Sequence, residues 1–281
     1  MDKETLIASS VLISVAAVST CLLYKIYSGF TSPKNKTWPR DVVIVFHIGK
    51  GPGAPTLSPF SLKLLTYLRM AGIPYQTVCG RNFSSKGKIP WVIYNGTVVE
   101  DTEFITRYFN ENFEIDLNKH LSAQEKATSL AFRRLIEEHL FWSQCGSAFD
   151  TDDISAVSSL MPYGPVMLWV VTALLRWVIR KEMWCHGIGR HSRKDYLDAG
   201  SYDLRSLATF LGDRTFLMGD EPSEVDCTVF GFLAQILWHM PNSHHYQVMT
   251  EELPNLERYC ERMRERFWPD WEEIIGRKSN D

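Results

Sequence analysis

The chain has no CxxC pair and no regular cysteine spacing: its six cysteines, Cys21, Cys79, Cys145, Cys185, Cys227 and Cys260, are scattered over 281 residues. This excludes a disulfide-built fold and suits free thiols in a reducing compartment. A basic cluster is also missing. Lys and Arg number 30 against 33 Asp and Glu, with both signs spread along the chain for a net charge of −3, so nothing favours a nucleic-acid partner. No internal repeat and no low-complexity tract interrupts it, which sets aside repeat architectures. Metal-ligand spacing is lacking too. Cys185, His186 and His191 want a fourth ligand, and Glu138-His139 wants the second histidine of a zinc-protease helix. What is present is 45% hydrophobic residues, enough for one or two globular cores.

Leu6 to Tyr24 is an apolar run with only Ser and Thr as polar guests. As a helix it spans about 28 Å, close to the hydrocarbon thickness of a bilayer. A cleaved signal peptide is the competing reading, but the leading flank is Asp2-Lys3-Glu4 rather than a basic region. The basic flank follows the run, at Lys25, Lys34, Lys36 and Arg40, so a single-pass anchor is expected with the body facing the cytosol. Three sequons, at Asn35, Asn82 and Asn95, are acceptor sites if the body is lumenal and silent if it is cytosolic.

Residues 28–40 are polar and proline-broken and read as a linker. Asp41 to His47 is a buried strand by its unbroken apolar residues. After a Gly/Pro loop, Gly49 to Leu57, Ser58-Pro59 opens a helix with Ser at the cap and Pro in the first turn. Tyr75 to Val78 and Lys88 to Tyr94 are further strands, and Asn95-Gly96 is a hairpin turn returning Thr97 to Glu100 as the fourth. Asp101 to Asn110 is helical.

Beyond Asp116 the strand patterns stop. Ser122 to Glu125 is a capping box opening a long helix past Glu138 and Trp142. Pro165 to Lys181 is an apolar helix interrupted by Arg176, read as buried rather than spanning. Trp142, Trp169, Trp177, Trp184 and Trp238 fall at helical spacing and read as core. Ser192 to Asp195 caps another helix, His244-His245 reads as a solvated loop, and Glu252 to Arg266 closes the bundle. Ser223 and Asp226 stand three apart before a further apolar run, and are expected to form a purely structural capping box. The divisions expected are 1–27 (anchor), 28–40 (linker), 41–116 (α/β) and 117–281 (helical).

The strand and helix order resembles a thioredoxin-like domain, and FLMGDEPSEVDCTVFGFLAQILW resembles the capped central helix of the glutathione transferase C-terminal domain. With SPFSLKLLTYLRMAGIPY, RRLIEEHLFW and Gly187-Ile188-Gly189-Arg190-His191-Ser192, the region Val42 to Trp271 is similar to the failed axon connections family, the metaxin-like branch of the transferase superfamily. The fold implied is an α/β thioredoxin-like N-terminal domain plus an all-α C-terminal domain, the glutathione transferase architecture, with an N-terminal transmembrane helix. A role in axonal development is implied, as a binding or adaptor protein. The alternatives are a membrane-bound detoxifying transferase and a metaxin-like mitochondrial outer membrane component, although metaxins carry their anchor near the C-terminus.

The resemblance also assigns a site. Ser58, before Pro59-Phe60, takes the place of the residue that stabilises the thiolate of glutathione, and is equally a plain helix cap. Serine at both Ser58 and Ser61 excludes disulfide exchange there. Phe46-His47 stands where a tyrosine-type transferase keeps its tyrosine. Ile89-Pro90, with a cis bond in this fold, is expected to pair with the glutathione backbone. Asp101-Thr102 takes the place of the acid–serine clamp for the γ-glutamyl carboxylate, with a shortened acid. The loop Gly49 to Leu57 is longer than usual, and either covers the pocket or displaces Ser58. No cofactor is expected, glutathione is the ligand implied, and turnover is expected near background. The partners expected are a membrane and a protein, with a homodimer left open.

Overall fold

The computed structural model describes residues 37–80, 82–149 and 164–276. The apolar run Leu6 to Tyr24 therefore lies outside the described residues.

β1 (Val43–His47) is apolar at successive positions because both of its faces are covered. Val43 and Val45 lie with Val92 in the main core, while Ile44 and Phe46 join Trp91 and Ile93 on the opposite face. There the Phe46 and Trp91 rings stack at 3.8 Å. β2 (Tyr75–Cys79) pairs parallel to β1, and β3 (Trp91–Tyr94) and β4 (Thr97–Glu100) run antiparallel, in the order β2-β1-β3-β4. Asn95 and Gly96 both take positive φ, 48° and 85°, as the tight hairpin requires. The Ile89-Pro90 bond is cis. α1 (Pro59–Met70) links β1 to β2, and α2 (Thr102–Asn112) follows β4.

The second half is helical. α3 (Ala123–Arg134) runs through a π-helical turn, Leu135–Leu140, into α4 (Phe141–Phe149). Then come α5 (Pro165–His186), a 3₁₀ turn at Ile188–Arg190, α6 (Arg193–Leu211), α7 (Glu224–His239), α8 (His244–Glu252), α9 (Pro254–Phe267) and α10 (Trp271–Ile275). This is a thioredoxin-like sheet domain followed by a helical domain.

α1 and α7 form the seam between them. Every residue of α1 from Ser61 to Leu68 is buried, and nearly all of α7 is. The two helices approach so closely that a Cβ on Gly231 would lie 2.8 Å from both Lys63 N and Pro59 O.

Four expectations need correction. The loop Gly49–Leu57 is no cover: Ala54 and Thr56 are buried, and it is wedged against the helical domain. Gln235 Nε2 donates to Thr56 O at 3.2 Å, Trp271 Nε1 donates to Gly53 O at 3.2 Å, and a Cβ on Gly53 would meet Trp238 O. Second, His244-His245 opens α8 instead of a solvated loop, with His245 fully buried. Third, Trp169, Trp177 and Trp184 are not core but 71%, 60% and 58% exposed. Fourth, the third strand begins at Trp91, after Pro90. Among the described residues no helix is long and apolar enough to cross a membrane, and α5 is among those ruled out.

The segment after α9 folds back on α1. Arg69 holds Asp270 through two hydrogen bonds of 2.6 and 2.8 Å, with its guanidinium 3.9 Å from the Trp268 ring centre. Trp268 Nε1 donates to Thr66 Oγ1 at 3.1 Å.

Candidate functional site: the α1 and α2 helix starts

Ser58 is the N-cap of α1. Its Oγ accepts from Ser61 N at 3.3 Å, satisfying one of the free amides of the first turn. The residue is 9% exposed, and its own amide donates to Thr56 Oγ1 at 3.4 Å. Ser61 is fully buried and its hydroxyl has no partner, so it faces the interior. His47, at the end of β1, is 3% exposed, with Nε2 3.4 Å from Cys79 Sγ; burial lowers the pKa of His47 and raises that of Cys79.

Asp101 caps α2. It takes φ 76° and ψ 131°, a region costly for a residue with a Cβ, and its Oδ1 accepts from Glu103 N at 2.9 Å. Thr102, next to it, is turned inward: it is 6% exposed, and its Oγ1 accepts from Lys63 Nζ at 3.3 Å. Of the pair expected to clamp glutathione, then, the acid lies at the surface and the hydroxyl is buried against α1. Pro90 is buried and Ile89 half-buried.

Lys63 is the residue the sequence reading missed. It lies in the middle of α1, 2% exposed, and its ammonium is 2.5 Å from Glu137 Oε1 in the π-helical turn. Glu137 also accepts from Thr228 Oγ1 at 3.4 Å and faces Arg134 Nη1 at 3.8 Å. Arg134 bonds Glu103 at 2.6 Å, and Arg133 links Glu103, at 3.5 Å, to Glu224, at 3.2 Å. Desolvation works against the charge on Glu103, but the Arg134 hydrogen bond and the neighbouring arginines prevail and hold its carboxyl below the ordinary range. A signal for Lys63 was there: a helix apolar on all sides is buried, and a lysine within it needs an acid.

The Ser223–Asp226 box is present in a modified form. Asp226 accepts from Ser223 N at 2.8 Å and from Ser223 Oγ at 3.0 Å, while its own amide donates to Ser223 O at 3.0 Å. Its other oxygen accepts from Leu217 N and from the Tyr259 hydroxyl, both at 2.9 Å. Burial still raises its pKa, opposed by these bonds. Two grooves open elsewhere. One of about 510 Å³ runs along β4 past Lys86, Val98 and Phe104, and one of about 440 Å³ lies between Gln124, Phe210 and Arg214. Ser58, Pro90, Asp101 and Thr102 line neither.

Comparison with known proteins places this arrangement. Residues 59–152 match the glutathione S-transferase N-terminal domain, and 200–263 the glutathione S-transferase C-terminal domain. The isoprene-epoxide glutathione S-transferase of Rhodococcus sp. strain AD45 is 30% identical over 76% of this chain and 94% of that one. This chain belongs to the glutathione S-transferase-like family. Within that family it is similar to Failed axon connections of Drosophila melanogaster, 29% identical over 84% of this chain, and spans 60% of that protein's length. Metaxin-2 of Mus musculus is 23% identical over 83% of this chain and 91% of that one. The glutathione S-transferase of Ceriporiopsis subvermispora, solved in complex with glutathione, shares the fold with a TM-score of 0.57 at 15% identity, over 80% of this chain and 97% of that one.

Proposed function

We propose that this glutathione S-transferase-like chain is a membrane-anchored binding or adaptor protein of the failed axon connections kind, acting in axonal development, with transferase turnover near background. One observation carries the reading. The hydroxyl matching the glutathione clamp, that of Thr102, is engaged by Lys63, whose charge is matched by Glu137. A tripeptide carboxylate arriving at α2 meets Thr102 turned inward and 6% exposed, and the arginines nearby are matched by Glu103. Displacement of reacting groups by about 1 Å costs on the order of a hundredfold in rate.

The alternative, a glutathione-dependent transferase using Ser58, draws support from the backbone. Ser58 caps the positive end of α1, where a thiolate is stabilised, and Asp101 holds a strained backbone at the start of α2. Calorimetric titration with glutathione, paired with conjugation of a chlorinated aromatic by wild type and Ser58→Ala, separates the two. The adaptor reading expects weak or no heat and equal, near-zero rates. Robust wild-type turnover that collapses in Ser58→Ala overturns it.

A further inference from the structure

α5 is amphipathic the wrong way round for a soluble bundle. Among the described side chains of the helix only Thr172 and Met183 are buried. Val166, Trp169, Trp177 and Trp184 are 78%, 71%, 60% and 58% exposed. At about 100° per residue these four lie within an arc of about 80°, so the exposed aromatics share one side of the helix, next to the face that carries Thr172 and Met183. An exposed apolar surface of this kind marks a contact site.

The charges around it indicate what makes the contact. Residues 164–194 hold six basic groups, Arg176, Arg180, Lys181, Arg190, Arg193 and Lys194, against one acid, Glu182, although the whole chain is net acidic. On the helical wheel Lys181 borders the tryptophans, Arg180 falls among them, and Glu182 lies on the far side. Lys181 Nζ is 5.5 Å from the Trp177 ring centre, and Arg190 Cζ is 5.7 Å from that of Trp184. Aromatic rings bordered by long cationic side chains match the headgroup and acyl boundary of an anionic bilayer. A symmetric pairing of two copies through this face would oppose basic groups to basic groups.

We propose that α5 lies flat in the headgroup layer of a membrane bearing anionic phospholipid, with Trp169, Trp177 and Trp184 in its outer acyl region. The N-terminal apolar run is not needed for this contact.

The test uses the full chain reconstituted in vesicles of phosphatidylcholine and phosphatidylserine with brominated acyl chains. Wild-type tryptophan emission is expected to shift to the blue and be quenched. The triple variant Trp169→Phe, Trp177→Phe, Trp184→Phe should lose that quenching, since its remaining tryptophans lie elsewhere in the protein. Pure phosphatidylcholine, or Lys181→Gln with Arg190→Gln, should weaken it. Sedimentation with the vesicles reads the anchor separately, so loss of one contact is distinguishable from loss of the other. Quenching that is absent in wild type, or retained in the triple variant, overturns the inference. So does a dimer that Trp177→Glu dissociates without any quenching, which assigns the face to a second copy.

Discussion

Lys63 Nζ lies 2.5 Å from Glu137 Oε1, joining the first helix of the sheet domain to the π-helical turn of the helical domain with both side chains almost wholly out of solvent. A buried pair of this kind is destabilising to break and much less costly to replace whole. Lys63→Met alone should lower unfolding free energy by about 3–5 kcal/mol, because Glu137 is left buried without its counter-charge. Lys63→Met with Glu137→Leu should recover most of that. Urea denaturation of both decides the matter, and equal losses in the two would rule out a coupled pair.

The body should face the cytosol. Protease added to sealed microsomes should digest it, and Asn95 should remain unmodified. The structure gives a second reason for the latter: Asn95 Nδ2, the atom a glycan would take, donates to Asp41 Oδ1 at 3.0 Å in the hairpin turn. A fully protected body carrying a glycan on Asn95 would reverse the topology.

Stability should fall in mild acid. Burial lowers the pKa of both His239 and His245 to about 4, aided at His245 by the charge of His244, against an ordinary value of 6.5. Between those limits the unfolded chain binds protons that the folded chain does not. The contribution is therefore complete above about 6.5 and is lost as pH falls toward 4, by an amount on the order of a few kcal/mol per histidine. His245→Gln should flatten the drop in urea midpoint between pH 7 and pH 5. An unchanged slope would mean that His245 is protonated in the fold.

Gly231→Ala should separate the two domains. The added methyl meets backbone, Lys63 N and Pro59 O at 2.8 Å, which no rotamer change relieves. Overpacking of this kind costs about 1–3 kcal/mol. Gly72→Ala would be a poor control because of its positive φ, so Ala131→Gly on α3, expected to cost about 1 kcal/mol, serves instead. A variant as stable as wild type would mean that α1 and α7 can move apart freely.

Ser223→Ala should cost about 1 kcal/mol by removing a cap bond, with no effect on ligand binding. Tyr259→Phe removes another donor to the same carboxylate and should cost about 1–3 kcal/mol. Thermal melts of the two single variants and the double variant measure their coupling, and full stability in both single variants would deny Asp226 its structural role.

Features set by near neighbours were legible in the sequence. Ser122 and Glu125 close a capping box, as do Ser192 and Asp195, because the groups that bond are three residues apart. The Asn95-Gly96 turn and the strand order follow from the same local rules. Long-range partnerships were not legible. Lys63 and Glu137 are 74 residues apart, and the destination of the Gly49–Leu57 loop depends on Gln235 and Trp271. Periodicity showed α5 to be apolar but could not show which side of it met the protein. The start of α2 at Asp101-Thr102 was legible, while the inward turn of Thr102 was not, since it depends on Lys63.

The return of the chain end to the sheet domain has a consequence for how the protein is made. Gly53 and Thr66 leave the ribosome 218 and 202 residues ahead of their partners Trp271 and Trp268. Domains usually fold in order of emergence. Here the sheet domain leaves the ribosome with an apolar flank open, and that flank stays open until Trp268 and Trp271 have emerged. A premature stop just after Phe267 would thus damage the sheet domain as well as the helical domain in which it falls.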